Sequence, residues 1–200
     1  MEHRNRLHLL DRDGGREATV FEVAGTTGRR RWLWLSLILP ALMAFGLRTE
    51  ARTLLTQPQA LATVFPQGAT RQVHYLTPAQ LAAAQKEAGV EFSDRMIVRY
   101  RGAAGFAYFD THRVRTLAET VMIVVAPDGR IDRIEVLSFD EPPEYLPKER
   151  WLEQFDRRSL DPDLSLKRKI RPLSGASLTA RAITNASRKV LALHKVIEGK

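Results

Sequence analysis

The chain is predicted to be an α+β protein: an antiparallel sheet, a meander of about four strands, with packed helices, preceded by an N-terminal apolar anchor or signal helix. Three observations predict this. Between Arg95 and Phe139 the apolar period is two over four successive runs, with no helical run between them. On either side, at Thr77–Gly89 and after Ser177, apolar residues recur at steps of three and four. Finally, Trp32 to Leu47 is uncharged and apolar, between Arg29-Arg30-Arg31 and Arg48. Strands that follow one another without helices return as hairpins, and the helices are left to cover the sheet.

Two hundred residues suffice for one ordinary domain plus extras. With 44% hydrophobic and 27% charged residues, most of the chain is globular. A net charge of +8 admits nucleic acid, an anionic cofactor or a membrane surface as partner. The excess lies from Lys148 onward, in Arg157-Arg158 and Lys167-Arg168-Lys169, without the interleaved aromatics of a single-strand binder. It reads as a solvated basic face. Cysteine is absent, which excludes disulfides, Cys-ligated zinc, iron–sulfur clusters, thioether-linked haem and a lipoprotein anchor.

Residues 1–31 are a polar tail ending in the basic run. The apolar segment 32–47 covers about 24 Å as a helix, short of the ~30 Å hydrocarbon core. It is either the apolar region of a signal peptide or a short transmembrane anchor, with flanking arginines snorkelling and Trp32 and Trp34 at the interface. The triple arginine holds the tail in the cytoplasm and sends everything after Leu47 across the inner membrane, to the periplasmic side. No A-x-A cleavage site follows, which favours retention as an anchor.

The remaining domain is 51–200. Ala51 to Phe65 reads as a helical segment with Leu54, Leu55, Leu61 and Val64 to one side. Thr77 caps a second helix, with Pro78 at its first position, Gln80 three after the cap and Gly89 at its end. Met96–Arg101 and Phe106–Phe109 form strands joined by a turn at Gly102–Gly105. Val121–Val125 is a continuous apolar run, hence a central strand, and Asp128-Gly129 turns the chain into a strand from Ile131. Asp110 to Arg113 reads as a loop, where a surface or capping role is the default for His112 and contact with a cofactor the alternative. Three prolines extend the loop Phe139–Pro147, and Lys148–Phe155 is a short helix with Trp151, Leu152 and Phe155 apolar. Asp161-Pro162-Asp163 is a turn rather than a calcium loop. The last helix carries Ile183, Ala186, Val190, Leu193 and Ile197 on one stripe.

Most candidate chemistry falls away. His3, His8, His74, His112 and His194 lack metal-ligand spacing. No nucleophile elbow is present, and Ser174 has no lysine three residues later. Glu141 and Glu144 form a carboxylate pair without a partner site. What remains is Ser174-Gly175-Ala176-Ser177-Leu178-Thr179, small and hydroxyl residues that run directly into the last helix. Free backbone N–H groups, the helix dipole and hydroxyls converge there, which suits a phosphate. A plain N-cap without ligand is the alternative.

This stretch resembles the FMN-binding domain of the flavoprotein subunits of Rnf-type and sodium-pumping NADH:quinone oxidoreductase complexes. That domain also occurs in nitrous-oxide reductase regulators and small stand-alone flavoproteins. The Asp128-Gly129 hairpin, Glu141-Pro142 in the Phe139–Leu146 loop and the Trp-containing segment Lys148–Phe155 resemble it too, so the likeness covers roughly Arg95 to Ile197. The resemblance implies FMN joined through its phosphate to Ser177 by a separate flavin transferase, with Ser174, Gly175, Ala176, Leu178 and Thr179 around it. The family's acceptor is more often threonine, with aspartate six positions earlier; here these are Ser177 and Arg171. Tightly held, non-covalent FMN is the other mode. Phe106, Tyr108, Tyr145 and His112 are the candidates for contact with the ring. The implied function is electron transfer outside the cytoplasm by a carrier rather than a stand-alone catalyst. Its partners would be a membrane redox complex or donor and acceptor proteins, and not nucleic acid. A flavin-free exported accessory or assembly module of such a complex is the second reading.

Overall fold

Five successive strands of the sheet each hydrogen-bond to the next in sequence, a short first strand pairs with the last of them, and the helices fall on the two faces this leaves. The computed structural model describes residues 52–199; the polar tail 1–31 and the apolar run 32–47 lie outside the described residues. The elements are β1 (Arg52–Thr53), α1 (Gln57–Val64), β2 (Thr70–Tyr75), α2 (Pro78–Ala88), β3 (Met96–Gly102) and β4 (Gly105–Arg113). They continue with β5 (Ala118–Val125), β6 (Ile131–Phe139), α3 (Glu149–Leu152) and α4 (Ser177–Glu198). The sheet order is β1-β6-β5-β4-β3-β2, with every neighbouring pair antiparallel. The α+β class and the meander β3 to β6 follow the expectation, and two edge strands are added.

Both additions have a physical reason. β1 is only two residues long, too short for a period to show. β2 lies at the sheet edge with four of its six side chains exposed, so its sequence lacks a buried apolar alternation. Two boundaries also move. The first helix begins at Gln57, where Thr56 N–H donates to Gln59 Oε1 (3.0 Å) at the N-terminus. The stretch Asp110–Arg113, expected as loop, is the second half of β4 and pairs with Val121 to Ala118 of β5. Its polarity reflects side chains that satisfy one another, not a turn. The second helix starts and stops as expected: Thr77 and Gln80 bond reciprocally, and Gly89 adopts φ 62° at its C-terminal cap.

β5 is the centre. Val121 to Val125 are each fully buried, which requires cover on both faces. On one face α1 sets Ala60, Val64 and Phe65 against Ala107, Met122, Val124 and Leu137. On the other, α2, α3 and α4 close over Tyr108, Ile123 and Ile134, with Ile183, Val190 and Leu191 supplied by α4. Thr184 and Ser187 are buried on that stripe as well. Each donates its hydroxyl to a carbonyl one turn back, Ala180 O (2.7 Å) and Ile183 O (2.8 Å), so neither is left unpaired.

Polar contacts fix how α4 runs. Near its C-terminal end His194 Nδ1 meets Tyr108 OH at 3.0 Å and Glu198 pairs with Arg99 at 2.7 Å. Earlier, Lys189 reaches Asp110 at 2.8 Å. Tyr108 and Asp110 follow each other along β4, so α4 runs antiparallel to it. Its N-terminus therefore lies at the end of the sheet where β4 turns into β5.

Besides two register shifts between β5 and β6, β3 and β4 part before their ends. The β3–β4 register ends at Arg99↔Tyr108, although β3 continues back to Met96 and β4 on to Arg113. Met96–Val98 and Phe109–Thr111 border a cleft of about 460 Å³, and Lys189 bridges its sides by bonding both Asp94 (3.1 Å) and Asp110 (2.8 Å).

Ile183 is fully buried on α4, against the sheet. Ile183→Ala should cost about 2–5 kcal/mol. Equilibrium urea unfolding checks this, with a lowered midpoint and an unchanged slope as the expected outcome.

Candidate functional site

The site begins with a helix end that no side chain caps. The Ala176 N–H donates to Leu173 O (3.1 Å) in a turn, and Gly175 takes φ +78°, a left-handed conformation that suits glycine. Ala176 then occupies the N-cap position of α4, where its methyl group cannot accept a hydrogen bond. The first-turn N–H groups of a 22-residue helix are thus presented without a capping side chain, beside exposed Ser174 and Ser177. Behind them the chain is pinned: Trp151 Nε1 donates to Arg171 O (2.9 Å), and Arg171 N–H donates to Gln154 Oε1 (2.9 Å). The short helix α3 and the turn after it therefore set where the Ser-Gly-Ala-Ser stretch begins.

A cavity of about 210 Å³ opens at this helix end, lined by Val114, Arg115, Glu141, Tyr145 and Gly175 to Thr179. Three segments meet there: the β4–β5 turn, the proline-rich loop and α4. Glu141 binds the first two together. Its Oε1 accepts the N–H groups of Arg115 (3.1 Å), Thr116 (3.1 Å) and Leu117 (3.2 Å). Burial works against its charge, but the three backbone donors outweigh burial and hold its pKa below the usual carboxylate value. With its charge committed to these amides, Glu141 is a structural clasp rather than an acid or base.

The structure gathers Ser174, Gly175, Ala176, Ser177, Leu178, Thr179 and Tyr145 in one place. It does not bring Tyr108 or Phe106 there. Both lie at the other end of α4, where Phe106 packs with its ring tilted against His194 (centroids 5.0 Å apart) and beneath Arg99 (4.4 Å). Tyr108 is buried there, and burial pushes its phenol up to about 12. At ~1.5 Å per residue, the helix rise from Ser177 to His194 is roughly 26 Å. His112 stands between the two ends with both ring nitrogens engaged, Nδ1 to Asp110 Oδ1 (2.9 Å) and Nε2 to Glu119 Oε2 (3.0 Å). Arg115 and Val114 were not anticipated, and nothing local in the sequence marks them: they reach the cavity because β4 ends beside α4.

The His112 cluster is strongly polarised. Burial lowers the His112 pKa, but the two carboxylates prevail and raise it to about 9. Asp110 is opposed by burial too, yet His112 and Lys189 bring it below its ordinary value. Glu119 is fully buried and burial raises it; its Oε1 has no hydrogen-bond partner among the described residues.

An uncapped helix end, two exposed hydroxyls and an arginine lie together beside a small cavity of this α+β domain. Residues 118–192 match the family model of the FMN-binding domain, a span from β5 through β6 and α3 to most of α4. This match supports FMN as the cofactor, and flavin binding with electron transfer as the activity. It includes Glu141, Tyr145 and Ser174 to Thr179. No curated protein and no solved structure gives a significant match to the chain. The residues fit the cofactor in part. A cavity of about 210 Å³ lies below the ~300–1,000 Å³ of ligand-enclosing pockets, so it suits a phosphate and its adjoining chain and leaves a ring system outside.

A raised histidine pKa stabilises the fold fully below the unfolded value near 6.5, and this contribution is lost as pH rises through about 9. Titration followed by NMR should place the His112 midpoint near 9 and that of His74, lowered first by burial and then by Arg99, below its ordinary 6.5. In His112→Gln, urea stability should no longer show the His112-linked decline over that alkaline range.

Proposed function

We propose that this protein is a membrane-anchored, extracytoplasmic FMN-carrying electron-transfer protein whose flavin phosphate is esterified to Ser177 Oγ. The observation that carries the reading is the uncapped N-terminus of α4, with Ser177 exposed in its first turn, inside the span that matches the FMN-binding domain. Bound FMN supplies one- and two-electron chemistry; the chain's part is to bind, orient and tune it.

The residues divide that work by position. Exposed Ser177 is accessible to a modifying flavin transferase. A Cβ built at Gly175 would meet nothing within 4 Å, so the approach to the hydroxyl is open. The first-turn amides and Arg115 offset the phosphodiester charge. Glu141, occupied by three amides, keeps the β4–β5 turn against the loop that presents Tyr145. Tyr145 at the rim and Leu178, which is 39% exposed, offer apolar contact to a ring system lying outside the cavity. The Arg29–Arg31 run before the apolar segment supports an anchor with the domain on the periplasmic side. Electron donor and acceptor proteins, or a membrane redox complex, are the partners this placement calls for.

Production with a flavin transferase, followed by denaturation and intact-mass measurement, tests the ester. The expected wild-type product carries FMN minus water, Ser177→Ala carries none, and Ser177→Thr and Ser174→Ala keep it. A yellow protein that releases its flavin on denaturation removes the ester and keeps flavin binding. A colourless, unmodified wild type overturns both.

A further inference from the structure

Among the described residues β2 is an edge of the sheet with no strand on its outer side. Its pairing with β3 reveals which backbone groups face outward. Leu76 N–H donates to Arg95 O (2.8 Å), one step beyond the register pair Tyr75↔Met96. Antiparallel bonding alternates, so His74 and Gln72 also turn their N–H and C=O groups towards β3. Arg71, Val73 and Tyr75 then turn theirs to the outside. The side chains of these three residues share one face of the sheet. On that face Val73 is 37%, Tyr75 74% and Met96 54% exposed, so three of the five exposed large hydrophobics among the described residues gather at this edge. The edge is lightly protected: β2 carries one charged residue, Arg71, but no proline or lysine, and its register with β3 runs through all six residues without a bulge.

We propose that β2 pairs antiparallel with β2 of a second copy of this chain, about a twofold axis at Val73. An isologous contact needs a strand that complements itself, and β2 does so in this register. Val73 lies opposite Val73, an apolar pair at the axis. Arg71 lies opposite Tyr75, a guanidinium beside a phenol ring, once on each side of the axis. All three outward residues of both strands are engaged, giving six N–H···O bonds. The competing register with its axis at Arg71 would set two arginines against each other. The sheet continues across the dimer, and the exposed Val73, Tyr75 and Met96 become one shared stripe.

Because the chain has no cysteine, single substitutions read the register directly. In the full-length protein under mild oxidation, Val73→Cys should cross-link to a dimer. Arg71→Cys or Tyr75→Cys alone should not, because each sulfur lies four residues from its own copy, roughly 13 Å away. An equimolar mixture of Arg71→Cys and Tyr75→Cys should cross-link. Sedimentation should find the unmodified protein dimeric and Val73→Lys monomeric but still folded by circular dichroism, since Val73 is outside the core. A monomeric wild type overturns the proposal, as does a Val73→Cys yield no greater than that of Arg71→Cys. Equal cross-linking by all three variants reports random collision and overturns it as well.

Discussion

The seating of α4 along β4 determines most of what this domain can do. The helix brings Ile183, Val190, Leu191 and Leu193 to the sheet, and each such buried side chain contributes about 1.5–3 kcal/mol. Apolar contact alone would let a helix slide or rotate. The polar pairs remove that freedom: Lys189 with Asp110, His194 with Tyr108 and Glu198 with Arg99 lie at successive heights along the same strand and its neighbour. Each places a charged or polar group where it is mostly buried, so a shift by one turn would strand several of them together.

From this seating the position of the candidate site follows as a geometric result. A helix fixed antiparallel to β4 presents its N-terminus beside the β4–β5 turn. Glu141 then holds that turn by three consecutive amides and brings the proline-rich loop alongside. The same carboxylate would be unfavourable next to a phosphate if its charge were free. Committed to backbone donors, it shapes the cavity without dominating its potential, and the uncapped helix end and Arg115 supply the positive side.

Much of this was legible in the sequence, for definite reasons. The Asp128-Gly129 turn, the continuous run Val121–Val125 and the Thr77–Gly89 helix each carry a local signal strong enough to decide their structure. Ser174 to Thr179 could be read because residue type, turn and helix start coincide. The edge strands could not, since β2 buries too little to show a period. Polar residues 110–113 suggested a loop because a buried ion-pair chain has no periodic signature. Tyr108 shows the limit for sites: aromatic residues on a strand near a cofactor stretch look alike in sequence, and only the direction of α4 separates Tyr145 from Tyr108.

The parting of β3 from β4 divides the sheet into two leaves, a broad one from β1 to β4 and a narrow one of β2 and β3. They stay joined by four residue pairs near the Gly102–Gly105 hairpin, while α4 lies across both. Through Arg99–Glu198 and Lys195–Glu87 the C-terminal end of α4 is tied to the narrow leaf and to α2; its N-terminal end lines the cavity beside Glu141 and Tyr145. A 22-residue helix is about 33 Å long, so a tilt of roughly 5° about one end displaces the other by about 3 Å. The helix thus spans the distance between the narrow leaf and Ser177 as one rigid element.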